Sequence, residues 1–287
     1  SGALLHGDVA RHLDFDASEH PVALQLGGSD PQELARCARL GASWGYDEIN
    51  LNCGCPSERV QRGSFGVCLM AEPALVADCI GAMREAVSMP VTLKHRLGID
   101  RNEDYGFVRD FVGASVEAGC RVFIVHARNA WLKGLSPREN RDVPPLRYAA
   151  ARQLKRDFPQ AAFVLNGGLA TLADARAGLE GMDGVMLGRM AYQQPHRLAQ
   201  VDAALFGGAA PEPAEVIEPL TGYLAAAVER GAAPWAVIRH TLGLFHGRPG
   251  ARAWRRHLSD PHFVWRYGVD ALRAAANAME EVAAGVD

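Results

Sequence analysis

Glu48-Ile49-Asn50-Leu51-Asn52-Cys53-Gly54-Cys55-Pro56-Ser57 is the stretch on which the reading of this chain turns. The apolar run up to Asn52 predicts a strand over 48–52, and Gly54 and Pro56 predict a tight loop after it. Beyond Gln61-Arg62-Gly63-Ser64-Phe65-Gly66, the residues Leu75, Val76, Cys79, Ile80, Met83 and Val87 recur at helical spacing. A helix over 73–87 therefore follows the loop. A thiol stands where a strand hands over to its helix, the sheet edge on which α/β enzymes collect their chemistry.

The same grammar repeats on both sides. Pro21 to Gly28 predicts a strand ending in glycines, and Asp30-Pro31 opens a helix with Glu33 placed to close a capping box. Strands are expected over 90–97, 121–127, 161–168 and 184–189, and helices over 103–119, 144–158, 171–179 and 195–206. Most of these strands are continuous apolar runs, as in parallel sheets covered on both faces. Six strand-then-helix units suit a doubly wound sheet or part of an eight-stranded (β/α)₈ barrel.

Three features favour the barrel. Polar residues recur at strand ends: Gln25, Asn52, Lys94, His126, Asn166 and Arg189. No GxGxxG fingerprint follows any strand. The last two strands end in Asn166-Gly167-Gly168 and Gly188-Arg189, where barrels place a phosphate. Counted as strands three to eight, they leave strand one, helix one and strand two expected ahead of Ser1, roughly 40 residues at about 30 per unit. The start without Met, on the helical pattern Leu5, Val9, Leu13, agrees with such a truncation.

After Phe206 the grammar changes. Residues 1–206 are expected to form the barrel domain, 207–213 (Gly-Gly-Ala-Ala-Pro-Glu-Pro) a linker, and 214–287 a small helical domain. Its helices are expected over 216–229, 234–245, 251–258 and 268–283. Between Pro234 and Tyr267 stand Arg239, Arg248, Arg252, Arg255, Arg256 and Arg266 against one acid, Asp260, with Trp235, Trp254 and Trp265 interleaved. Arginines among aromatics suit a nucleic-acid backbone, and a solvated face over core tryptophans is the competing reading. A second basic stretch runs from Arg128 through Lys133 and Arg138 to Arg141.

Composition narrows the class. The chain has 287 residues, 48% hydrophobic and 22% charged, as in ordinary globular proteins. Its net charge of −3 gives no global attraction to nucleic acid, so any such surface is local. Six cysteines without a spaced framework suit a reducing, cytoplasmic setting. No apolar run approaches the roughly 18 residues of a membrane span, and no signal peptide is visible.

Cys55 is the residue most suited to chemistry. A cysteine is usually a buried small hydrophobe, but a core position does not require the tight backbone that Gly54 and Pro56 impose. A loop thiol can be nucleophile, metal ligand or proton donor. Metal is the weakest of the three, because no second Cys or His pair at ligand spacing follows. Cys53 and Cys68 read as packing residues. Gln25, Lys94 and His126 converge at matching strand ends, as a bound polar cofactor needs. The glycines of Asn166-Gly167-Gly168 and Gly188-Arg189 would let backbone N–H groups approach a phosphate, with Arg189 as a charged fork.

These residues together resemble the tRNA-dihydrouridine synthases, and within them the bacterial A-type subfamily. The markers run in order: Asn52-Cys53-Gly54-Cys55-Pro56-Ser57, Arg59-Val60-Gln61, Phe65-Gly66, Lys94-His95-Arg96-Leu97-Gly98, Val125-His126-Ala127-Arg128, Trp131-Leu132-Lys133-Gly134-Leu135-Ser136, Asn140-Arg141, Asn166-Gly167-Gly168 and Gly188-Arg189. The resemblance implies an FMN-binding barrel with a helical tRNA-binding domain, reduced by NADPH. It implies hydride transfer to C6 of a D-loop uridine (20/20a by subfamily analogy) and a proton from Cys55 to C5. Gln25, Lys94 and His126 would contact the flavin, and Asn166, Gly167, Gly168, Gly188 and Arg189 its phosphate. Asn52 would touch the target nucleotide, and Arg138, Arg141, Arg252 and Arg255 the tRNA. No metal and no protein partner is implied. The alternatives are an FMN barrel oxidoreductase acting on a free small molecule, and a truncated RNA-binding barrel without activity.

Overall fold

Six parallel strands pair in chain order: β1 Ala23–Leu26, β2 Glu48–Cys53, β3 Val91–His95, β4 Val122–His126, β5 Ala162–Asn166 and β6 Gly184–Met186. Each strand lies beside the next in sequence, so the order never reverses. A doubly wound sheet needs such a reversal; this singly wound order is the barrel type. The computed structural model describes residues 1–283. They form two compact units, one of Ser1–Leu169 with Ala175–Met186, the other of Ala170–Asp174 with the residues from Leu187 onward.

The helices are α1 Gly2–His6, α2 Val9–Leu13, α3 Pro31–Ser43, α4 Glu58–Arg62, α5 Pro73–Ala86, α6 Tyr105–Glu117, α7 Tyr148–Asp157 and α8 Leu172–Leu179. Asp30 caps α3 as expected, its carboxylate accepting from the Glu33 amide at 2.8 Å, with Pro31 in the first turn. The Glu33 carboxylate accepts instead from Ser1 Oγ at 2.9 Å. Helix α7 starts at Tyr148 rather than 144, because Pro144 and Pro145 hold the approach extended. The opening helix is two short ones, and α4 is a turn of helix that periodicity missed.

Register decides what each strand face carries. Leu51 pairs with Leu93, Leu93 with Phe123 and Phe123 with Phe163, so one face is apolar but for His95. That face packs Ile49, Leu51, Cys53, Leu93, Phe123, Val125, Phe163 and Leu165 in a core with Leu34, Cys37, Val76, Ile80, Met83 and Phe111 from α3, α5 and α6. By the same register Gln25, Asn50, Asn52, Thr92, Lys94, His126 and Asn166 share the opposite face. The strands therefore alternate; they are not apolar on both faces as continuous runs suggest.

The second unit is helical: α9 Arg189–Gln193, α10 His196–Phe206, α11 Ile217–Glu229, α12 Pro234–Ile238, α13 Ala251–Leu258, α14 Pro261–Tyr267 and α15 Ala271–Ala283. Its core gathers Ile217, Leu224, Ile238, Phe245, Trp254, Leu258, Leu272 and Met279. The helix expected over 234–245 stops at Ile238, and turns follow. Gly243 packs on the Gln193 carbonyl with no room for a Cβ. The strand expected over 184–189 ends at Met186, and Arg189 opens α9. Helix α10, read as the last of the barrel, belongs to the helical unit. No helix among the described residues is long and apolar enough to cross a membrane.

Candidate active site

The chain leaves β2 at Cys53 and turns at once. Asn52 makes the turn: its Oδ1 accepts from the amides of Gly54 and Cys55, both at 3.0 Å. This is the Asx geometry that lets a side chain replace a backbone acceptor. Cys53 is fully buried, whereas Cys55 is half-buried with its Sγ 3.5 Å from Ser57 Oγ. Burial pushes the Cys53 thiol well up, so it stays protonated in the core. The loop closes on Gly66, whose φ of +67° brings the backbone against Cys55; a Cβ there would lie 2.7 Å from the Cys55 carbonyl oxygen. Only glycine fits that position.

Two side chains tie this loop to others. Gln61 Nε2 donates to Pro56 O at 2.7 Å and to Leu132 O at 3.1 Å. Arg96, only 3% exposed, donates from Nε to Gly54 O at 3.2 Å. Its Nη1 donates to Asn129 O at 3.1 Å and to Asn140 O at 2.8 Å. No ion pair joins it to a carboxylate among the described residues. Burial lowers its pKa to about 10, which leaves it charged at neutral pH. Asn140 is fully buried and organises the basic loop: its Oδ1 accepts from Trp131 N at 2.7 Å and its Nδ2 donates to Trp131 O at 2.9 Å. Arg138 and Arg141 flank it and are exposed.

The inner face is cationic and amide-lined. Lys94 Nζ donates to Asn166 Oδ1 at 3.2 Å, and Asn166 Nδ2 donates to Met186 O at 2.8 Å. Lys94 has no carboxylate partner among the described residues, and burial with Arg96 and Arg141 nearby lowers its pKa to about 8. Burial, and then the same cations, push His126 down to about 2, so its ring is neutral. Neither ring nitrogen of His126 has a hydrogen-bond partner among the described residues. Gly167 (φ +104°) and Gly168 (φ +74°) follow β5. Cβ atoms there would meet His126 Cδ2 at 2.6 Å and Tyr148 Oη at 2.8 Å. A lysine without a carboxylate, a neutral imidazole with open nitrogens and a bare glycine turn form a donor set for a polar, anionic ligand.

Gln25, Asn52, Lys94, His126, Asn166, Gly167 and Gly168 thus come together in the first unit. Gly188 and Arg189 lie in the second, where Arg189 is the first residue of the short helix α9. Arg252 and Arg255 lie there too, exposed on α13 with Arg256, while Ala251, Trp254 and Leu258 hold its other face in the core. Of the three interleaved tryptophans, Trp254 is a core residue whose Nε1 donates to Thr241 O at 3.1 Å. Trp265 is 86% exposed and Trp235 is 45% exposed. Sequence reasoning assigned no role to Arg96, Asn50, Thr92 or Asn140. Alternation could have found Asn50 and Thr92, which sit two residues below Asn52 and Lys94 on the same strand face.

His95 points the other way, into the core between Phe111 and Phe123, with ring centroids 5.6 and 6.0 Å away. Its Nδ1 lies 2.7 Å from Arg96 O, and Nε2 has no partner among the described residues. Burial lowers its pKa to about 4. The unfolded chain takes up a proton near pH 6.5 that the folded chain refuses, so stability present above pH 6.5 is lost as pH falls towards 4. His95→Leu is expected to flatten that loss by about 2 kcal/mol, read from urea midpoints at pH 7 and 4.5.

The family model described as dihydrouridine synthase matches residues 1–279. The chain is 59% identical over 261 residues to the tRNA-dihydrouridine(20/20a) synthase of Pseudomonas putida, covering 90% of this chain and 78% of the relative. It is 55% identical over 263 residues to the protein of that name from Yersinia pestis, covering 91% and 76%. It is 51% identical over 278 residues to that from Vibrio parahaemolyticus, covering 96% and 85%. With a thiol loop beside a cationic sheet edge and a family match along nearly its whole length, the chain belongs to the dihydrouridine synthase family of enzymes.

Proposed function

We propose that this chain reduces uridine 20 or 20a in the D-loop of tRNA to 5,6-dihydrouridine, with FMN as bound cofactor and NADPH as reductant. The observation that carries this reading is the Cys55 loop, pinned by Asn52, Arg96 and Gln61 beside a face whose Lys94 has no carboxylate partner among the described residues. The donor set fits a flavin mononucleotide. Gln25 and Lys94 bind its ring system and ribityl chain, together with the neutral His126. Asn166 and the bare turn Gly167-Gly168 receive its phosphate. When bound, the flavin supplies the hydride for C6 of the uracil.

Cys55 gives the proton to C5 from the opposite face of the ring, as a positioned general acid. Asn52 holds the nucleotide beside it, because the turn that orients the thiol also fixes the Asn52 amide. Lys94 and Arg96 make the surroundings positive, which favours polyanionic ligands. Exposed Arg138 and Arg141 on the loop that Asn140 organises take tRNA phosphates. The exposed face of α13 does so in the helical unit, through Arg252 and Arg255.

Flavin-loaded chain, NADPH and an unmodified tRNA transcript test the reading. The expected result is two added hydrogens at one D-loop uridine by mass spectrometry, and no turnover of free uridine. Turnover of free uridine at comparable efficiency would favour a small-molecule oxidoreductase instead. The double variant Arg252→Ala, Arg255→Ala is expected to lower the slope of log binding against log salt by about 2. An unchanged slope would remove α13 from the tRNA surface.

A further inference from the structure

Six hydrogen bonds form an unbroken line across β1, β2 and β3, from Glu48 to the Cys55 loop. Thr92 Oγ1 donates to Glu48 Oε1 at 2.5 Å, and Asn50 Nδ2 donates to Thr92 Oγ1 at 2.7 Å. Gln25 Nε2 donates to Asn50 Oδ1 at 2.7 Å, and Asn52 Nδ2 donates to Gln25 Oε1 at 3.0 Å. Asn52 Oδ1 then accepts from the Gly54 and Cys55 amides. Asn50 and Thr92 are buried, at 4% and 1% exposure.

The line has one direction, and its ends set it. A carboxylate only accepts, so Thr92 must donate to Glu48 and accept from Asn50. At the other end two backbone amides only donate, so Asn52 must present its oxygen to them. The three amides between are consistent with both ends in one orientation. Turning over any one would set donor against donor and acceptor against acceptor. At its buried members, Asn50 and Thr92, each such mismatch leaves polar groups unpaired, so those two hold the outer members in one orientation.

We propose that Glu48 is a positioning residue for the reaction. It acts from the end of β2 opposite the thiol, through Thr92 and Asn50. It fixes which way the Gln25 and Asn52 amides face, and so which donor each still offers to a ligand. Through Asn52 it also holds the backbone that aims Cys55. The line carries no proton to the thiol, because its amides are held as donors and acceptors and not as acids. The proposal deepens the reading of Cys55 as proton donor and rests on it.

Thr92→Val keeps the shape and removes the hydroxyl. Thr92→Ser keeps the hydroxyl, and Glu48→Gln keeps the shape while giving Thr92 a partner that can donate as well as accept. Hydrogen exchange at the Gly54 and Cys55 amides, in the full chain without substrate, reads the line directly. Exchange is expected to quicken about ten-fold in Thr92→Val and Glu48→Gln. Dihydrouridine turnover should fall by about the same factor with the KM for tRNA unchanged, and Thr92→Ser should restore both. Exchange unchanged in Thr92→Val and Glu48→Gln would overturn the proposal, as would Thr92→Ser behaving like Thr92→Val. A parent chain that forms no dihydrouridine would sink the proposed reaction, while the exchange rates would still decide the line.

Discussion

Cys55→Ala is expected to lower dihydrouridine formation by about 10²- to 10⁴-fold, the range for losing a positioned general acid. The chain should still bind tRNA and keep its thermal midpoint. The physical reason lies in where the thiol sits. Cys55 is half-buried on a loop and fills no core position, unlike Cys53 two residues earlier, whose side chain packs under β2. Removing one sulfur there costs chemistry and little packing. Cys55→Ser should be nearly as impaired, because a hydroxyl is a far weaker acid than a thiol. The contrast that isolates the role is Cys53→Ala: it should lower stability by cavity formation in the core and leave turnover per folded molecule near normal. Near-normal turnover by Cys55→Ala would end the proton-donor assignment.

Arg96→Met is expected to lower kcat by about 100-fold while changing stability by only about 1–3 kcal/mol. Two opposing terms make the stability change small. The variant strands three carbonyls, those of Gly54, Asn129 and Asn140. It also removes a buried cation that has no carboxylate partner among the described residues, and that removal is favourable. Catalysis has no such compensation. The guanidinium joins the loop that carries the thiol to the loop that carries Arg138 and Arg141, and a thiol displaced by about 1 Å loses most of its advantage. Arg96→Lys keeps the charge but not the fork geometry, so it should recover only part of the rate. Steady-state kinetics on unmodified tRNA, with hydrogen exchange over residues 53–57 and 129–141, checks both halves. Equal exchange in the two loops with normal kcat would show that Arg96 is ordinary filler.

The strand-then-helix grammar was legible because each segment carries its own signal. Apolar runs bounded by Gly and Pro predicted six strands, and all six are present, with the largest end difference at β6. Helices α5, α6, α8, α11 and α13 match their expected bounds to within two residues. The misses have local causes. Pro144 and Pro145 delay α7, and a close approach of Gly243 to Gln193 ends α12 early. Short elements such as α4 and α14 span too few residues for a period to register.

The sequence alone determined the thiol loop, the polar strand ends and the basic arginine clusters, because each is a matter of residue type at short spacing. Register was beyond it. Whether Asn50 faces helices or the strand interior depends on how β2 aligns with β1 and β3, and a shift of one residue would reverse every side chain. Only the folded sheet placed Glu48, Thr92, Asn50, Gln25 and Asn52 in one line, drawn from three strands and up to 67 positions apart in the chain. Only tertiary packing buried Arg96 among three carbonyls and put Trp254 in a core while leaving Trp265 outside. Those outcomes depend on which surfaces meet, and long-range contact is the one quantity that local pattern does not encode.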